Sequence, residues 1–274
     1  MSKITLKLKE PPKIQLEAEC LSPDVFAELS HEEICASPVY HGKRRRRLDD
    51  YFTITGERSD NVHIYGDLRR VKWIGRAMTR GSLTVYGGVG MHLGAYMGGG
   101  RIEVHGDAGD WIGAEMTHGF IRVHGDAGGQ VGAAYRGSMA GMRNGVIMIG
   151  GSAGLEVGMR MRRGSIIIGG RVRDFAGLQM KGGTIVLLSG AEIRTGAWMM
   201  RGTIISLQPL ALLPTFSYAC RYSPDIVRVL ARDLQPHGVT LPYAAHHGAY
   251  DLYQGDSSAP GKGEILIWRP ADTA

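Results

Sequence analysis

The side chains able to do chemistry in this chain fall into four groups. His105 and His124 stand nineteen residues apart, each two residues after an apolar–polar pair. Imidazoles repeated in this way could ligate a metal, but no carboxylate or third imidazole recurs beside them, which favours a surface aromatic–imidazole ladder with Tyr65 and Tyr86. Asp107 and Asp126 follow glycines at the same interval. Glycosidic chemistry would need paired carboxylates across a groove, whereas aspartate after glycine is ordinary turn chemistry. Cys20, Cys35 and Cys220 are odd in number, far apart and contain no C-x-x-C pair, so neither an iron–sulfur cluster nor a zinc ribbon is expected. Arg80, Arg163 and Arg201 share one repeat position, and Arg160 and Arg162 add to them. Together they could attract an anionic ligand.

These residues are positioned by a repeat. Glycine recurs at 81, 100, 119, 145, 164, 183 and 202, at intervals of 19 with a single interval of 26. The seven extra residues fit within Tyr135–Gly141. A second glycine follows at six residues, with Ser189 in that place once, and a third at thirteen. Methionine stands at sixteen in Met97, Met116, Met161, Met180 and Met199, with Tyr135 in that place once. The second and fourth positions are apolar, from Leu83/Val85 to Ile185/Leu187. Such alternation marks a short strand with one buried face. One unit cannot bury that face alone, so units must stack, with strands roughly 4.8 Å apart.

The expected fold is mainly β: a right-handed parallel β-helix of about seven to eight coils with a 19-residue glycine-rich repeat and small α/β flanking segments. Residues 1–59 form an N-terminal flank, 60–207 the glycine-rich coils, and 208–274 a C-terminal extension with one amphipathic helix. A dinucleotide fingerprint, a nine-residue calcium repeat and a six-residue apolar rhythm are all missing from the sequence. The outward third position changes from Thr84, Glu103 and Arg122 to Met148, Ile167 and Val186. That apolar stripe calls for a cover, either the C-terminal segment or another polypeptide.

In the flanks, Ser22-Pro23 starts a short helix, and Ser30 with Glu33 fits a capping box. The run Lys43–Arg47, followed by Asp49 and Asp50, reads as a solvated or partner-facing segment rather than a nucleic-acid site. Near the C-terminus, Ser223-Pro224-Asp225 caps a helix carrying Ile226, Val227, Val229, Leu230 and Leu234, ended by Pro236 and Gly238. The formal charge is +6, with 24 arginines and 8 lysines among the basic residues. No apolar run reaches the roughly 18 residues of a membrane span, and the N-terminus lacks a signal-peptide core. The expectation is a cytoplasmic protein with no membrane or nucleic-acid partner.

The coils resemble the C-terminal β-helix domain of the glutamate synthase large subunit over about 60–207. The whole chain resembles the C subunit of formylmethanofuran dehydrogenase and of its bacterial relative, the formyltransferase/hydrolase complex. The resemblance is carried by Leu16-Glu17-Ala18-Glu19-Cys20 with Ser22-Pro23-Asp24, by Pro38-Val39-Tyr40-His41-Gly42, and by Gly255-Asp256 with Gly261-Lys262-Gly263-Glu264-Ile265-Leu266. It implies a non-catalytic structural subunit in one-carbon metabolism, with no catalytic or metal-ligating residue and no cofactor of its own. The implied partners are a formyltransferase subunit, a zinc amidohydrolase-like catalytic subunit and the further B subunit of the same complex. Together they convert formyl-tetrahydromethanopterin to formate through formylmethanofuran, as in the formaldehyde oxidation of methylotrophs. Methanofuran carries a glutamate-rich acidic tail, which Arg80, Arg160, Arg162, Arg163 and Arg201 could guide. The alternatives are the C subunit of a molybdenum or tungsten formylmethanofuran dehydrogenase and a free-standing polysaccharide enzyme; arginine-rich composition favours the bacterial hydrolase version.

Overall fold

Alternating aliphatic residues at a fixed interval produce a ladder only if every repeat returns to the same register, and here it does. The computed structural model describes residues 3–238 and 240–270. It is mainly β and is dominated by a 13-stranded sheet. Nine of the twelve neighbouring strand pairs are parallel and three antiparallel. The repeats supply the strands Ser82–Tyr86, Arg101–Val104, Phe120–Val123, Val146–Ile149, Ser165–Ile168, Lys181–Leu187 and Arg201–Ser206. Across them Leu83, Ile102, Ile121, Ile147, Ile166, Ile185 and Ile204 are direct register partners, and all are fully buried. Each contributes about 1.5–3 kcal/mol relative to exposure. A second ladder of parallel bridges joins Leu68, Val89, Ala108, Ala127, Ala153, Val172 and Ala191.

Both flanks extend this sheet. Ile4–Leu8 lies parallel to Asn61–Tyr65 and antiparallel to Phe52–Thr55. At the other end Lys262–Arg269 pairs in parallel with Arg201–Ser206, so Ile265 continues the aliphatic ladder and Gly263 stands opposite Gly202. The tail strand thus serves as one more rung, supplied from about sixty residues downstream. A smaller four-stranded sheet holds Arg44–Arg47 as an exposed edge strand, with Arg47 paired to Asp49 at 2.8 Å.

The glycine corners have two distinct causes. Gly164, at φ +89°, takes a left-handed turn that costs other residues energy. Gly151 has no such angle; a Cβ there would lie 2.1 Å from Asp126 Oδ1. That oxygen accepts the Ser152 N–H at 2.7 Å, just as Asp107 Oδ1 accepts the Asp126 N–H at 2.9 Å. These aspartates tie one repeat to the next.

The apolar outer stripe is covered by the chain itself. Met148, Ile167, Val186 and Ile205 pack in one buried cluster with Val227, Ala231, Leu234, Leu241, Tyr250 and Leu252. Of the two covers expected, the C-terminal segment is the one present. Its helix, Asp225–Leu234, begins after Pro224 with no side-chain cap, so the serine cap expected at Ser223 is not formed. Ile226 and Val229 face outward, which narrows the buried stripe to Val227, Leu230, Ala231 and Leu234. The expected capping box of Ser30 and Glu33 is formed on the His31–Ala36 helix, and Pro23 opens the Pro23–Phe26 turn. No helix among the described residues is long and apolar enough to cross a membrane.

Candidate functional site

The 26-residue interval decides what the outer surface carries. The methionine slot of that repeat is filled by Met142, fully buried, and not by Tyr135. Its methyl group packs at Gly164 as that of Met116 packs at Gly145 and that of Met161 at Gly183. The inserted Tyr135–Gly141 therefore precedes the slot, and Tyr135 turns outward. Its hydroxyl lies 2.8 Å from His92 Nδ1; its ring stacks on Trp111 at 4.8 Å and meets Tyr96 at 5.5 Å. His92 in turn stacks on Trp73 at 4.1 Å. Burial pushes the Tyr135 hydroxyl up and the His92 imidazole down from their ordinary values, so both stay neutral near pH 7.

This aromatic group was not visible in the sequence, and neither was its backbone. Trp73, His92, Trp111, Gln130, Glu156, Phe175 and Arg194 all have φ between +57° and +66° at one repeat position. Ala77, Tyr96, Glu115, Arg160, Gln179 and Trp198 have φ between +52° and +60° at another. Bulky side chains rarely adopt this conformation, which costs roughly 1–3 kcal/mol each.

The five arginines singled out in the sequence do not all line one recess. Arg80 pairs with Glu28 at 2.7 Å. Arg160 is tied to the insertion: its Nη1 donates to the Ser138 carbonyl at 2.6 Å and its Nε to Gln179 Oε1 at 2.7 Å. Arg162, Arg163 and Arg201 do come together. They line an open recess of about 780 Å³ with Lys181, Lys262, Thr203 and Glu264. Strand register adds the two lysines: Lys181 lies opposite Arg201, and Arg201 opposite Lys262. Three cations thus occupy successive rungs, spaced at roughly 4.8 Å along the sheet. Lys181 Nζ donates to the Met139 carbonyl at 2.9 Å. Among the described residues none of Arg162, Arg163, Arg201 and Lys262 forms an ion pair. Among those same residues Glu264 is the only carboxylate lining the recess, and it accepts a bond from Thr203 Oγ1 at 3.3 Å. Five cations against one carboxylate give the recess a positive potential that favours anions.

Elsewhere, Tyr65, Tyr86, His105 and His124 stack in order, with centroids 4.5, 4.9 and 4.8 Å apart. The carboxylate that spacing did not place beside the two histidines is Glu103, whose Oε1 lies 2.8 Å from His124 Nε2. Partial burial disfavours the charged form of Glu103. The His124 bond and the charge of Arg101 outweigh it and hold the carboxyl below its ordinary value. Neither Cys20 nor Cys35 is activated. Burial pushes Cys20 up to about 12. His31 Nε2 lies 3.5 Å from Cys35 Sγ, yet burial and Asp49 raise that thiol as well.

No protein-family model matches the chain. The C subunit of tungsten-containing formylmethanofuran dehydrogenase 2 from Methanothermobacter thermautotrophicus is 41% identical over 100 residues, covering 35% of this chain and 37% of that protein. The C subunit of molybdenum-containing formylmethanofuran dehydrogenase 1 from Methanosarcina barkeri is 40% identical over 98 residues, covering 34% and 33%. The chain aligns with about a third of the length of these curated relatives. A much longer match is structural. A chain in the crystal structure of the formyltransferase/hydrolase complex from Methylorubrum extorquens, in complex with methylofuran, superposes with a TM-score of 0.87 and 33% sequence identity. That match covers 96% of this chain and 98% of the other.

Proposed function

The chain belongs to the family formed by the C subunit of formylmethanofuran dehydrogenase and its counterpart in the formyltransferase/hydrolase complex, and from this premise we propose that it is a non-catalytic scaffold of a formyltransferase/hydrolase complex. In that reading the glycine-rich repeats form a right-handed parallel β-helix. It is a rigid support to which a formyltransferase subunit, a zinc amidohydrolase-like subunit and the B subunit dock. The complex transfers formyl from formyl-tetrahydromethanopterin to methanofuran and releases formate in one-carbon metabolism. The observation that carries this reading is the near full-length likeness to a chain of such a complex. The partial alignments reach dehydrogenase subunits instead, so the dehydrogenase is the second reading.

The recess formed by Arg162, Arg163, Lys181, Arg201 and Lys262 would hold the acidic tail of methanofuran, positioning the cofactor without reacting with it. Arg80 and Arg160 have other partners and do not line the recess. A flexible polyanion suits an open, unpaired cationic surface, because multiple weak ion pairs hold it while leaving it mobile.

Purification from the native host with metal analysis tests the proposal. Co-purification with the transferase and amidohydrolase-like subunits, and zinc without molybdenum or tungsten, is expected. Molybdenum or tungsten would transfer the chain to the dehydrogenase reading. Formyl turnover by the isolated chain would overturn the scaffold role.

A further inference from the structure

A strand sends residues two apart to the same face, so Glu103 and His105 both point outward. The register of the next repeat, with Val104 opposite Val123, sets His124 beside His105. The result is a group of one carboxylate and two imidazoles whose ligand atoms all lie within 4.8 Å of one another.

We propose that Glu103, His105 and His124 bind a divalent transition-metal ion on the outer surface of the sheet. Two donors about 2.0–2.1 Å from a tetrahedrally coordinated ion lie about 3.4 Å from each other. Glu103 Oε1 and His124 Nε2, now at the hydrogen-bond distance of 2.8 Å, need to part by only about 0.6 Å to take an ion between them. His105 and His124 are both exposed, so their rings can turn from stacked to converging and bring the third donor in. Arg101 Nη2 lies 3.5 Å from the other carboxylate oxygen, Oε2, and orients Glu103 from behind without occupying the ligating atom. Arg122, the register partner of Glu103, is drawn away: its Nη1 donates to the His237 carbonyl at 3.0 Å. Two imidazoles and one carboxylate suit Zn²⁺, Ni²⁺ or Co²⁺ over Mg²⁺ or Ca²⁺. Three protein ligands leave coordination positions open outward, for water or for a ligand brought by a neighbouring polypeptide.

Equilibrium dialysis of the tag-free full chain against Zn²⁺ alone, and separately Ni²⁺ alone, tests the site. The wild type is expected to hold one equivalent of ion. Glu103→Gln and His105→Gln are each expected to weaken that binding at least tenfold, since losing even an outer partner of a ligand costs 10–100-fold. Both substitutions are at surface positions, and far-ultraviolet circular dichroism confirms that the variants remain folded. Wild-type stoichiometry and affinity in both variants, or no bound ion in the wild type, overturns the proposal.

Discussion

Reversing one charge in the cationic recess should move stability and ligand affinity in opposite directions. Arg201 stands between Lys181 and Lys262 in adjacent rungs, and like charges directly opposite destabilise a sheet. Arg201→Glu replaces two repulsions with two attractions. With charged ends about 7 Å apart in water, each is worth about 0.6 kcal/mol before screening, and under half of that at physiological ionic strength. The variant should therefore be more stable by about 0.5–1 kcal/mol. An oligoglutamate carboxylate about 5 Å from Arg201 gains about 0.8 kcal/mol in water and loses as much after reversal. Screening halves the difference to about 1 kcal/mol per carboxylate, so two carboxylates in reach give about 2 kcal/mol, or about 30-fold in Kd. Fluorescence anisotropy with a labelled γ-linked hexaglutamate at low and physiological salt reads the affinity, and urea denaturation the stability. Arg80→Glu, which breaks the pair with Glu28, is the control and should leave Kd unchanged. An unchanged Kd in Arg201→Glu, or a loss of affinity accompanied by a loss of stability, refutes the reasoning.

Three further outcomes follow from the packing. Gly87→Ala should destabilise the chain by about 3 kcal/mol or more, visible as a lowered Tm, because a Cβ there would lie 2.0 Å from the Gly66 carbonyl oxygen at a backbone φ of +152°. Hydrogen bonds from Arg221 and Arg269 hold the buried Asp251 carboxyl below its ordinary value. A depressed carboxyl stabilises the fold above its unfolded pKa, and that contribution disappears as pH falls through the lower folded value. Urea titrations between pH 7 and pH 3 should thus show a smaller acid-induced loss in Asp251→Asn than in the wild type. Tyr135→Phe removes the bond to His92 and should cost about 1 kcal/mol in the same assay, with no change in oligoglutamate binding.

The strands were legible because their signal is local. Alternation at the second and fourth positions, with glycine at fixed corners, specifies both the strand and its face, and Ile102, Ile121 and Ile147 stand in the register their spacing implies. The insertion was harder. Tyr135 and Met142 are seven residues apart, and either could fill the methionine slot by count. Packing decides: a fully buried slot takes the thioether, whereas a tyrosine hydroxyl needs a partner and finds His92. The left-handed backbone at Trp73, His92, Tyr96 and Trp111 could not be read, because those residue types give no local sign of positive φ. The recess was half visible. Arg163 and Arg201 shared a repeat position, but Lys262 belongs to a strand that re-enters the sheet from the far end of the chain.

Arginine at one repeat position meets opposite fates along the sheet, and the difference separates structural charge from functional charge. Arg80 is neutralised by Glu28. Arg160, three residues before Arg163, is used up in holding the inserted segment through the Ser138 carbonyl. Arg162, Arg163, Arg201 and Lys262 form no ion pair among the described residues, and Lys181 and Lys262 are added on either side of Arg201. Neutral side chains there would relieve the repulsion and leave the aliphatic ladder beneath, Ile185, Ile204 and Ile265, untouched. Apart from the Lys181 bond to the Met139 carbonyl, folding therefore gains nothing from positive charge on these rungs. At Arg201 and Lys262 a local rule is broken without structural compensation among the described residues, which is what the proposed anion contact would account for.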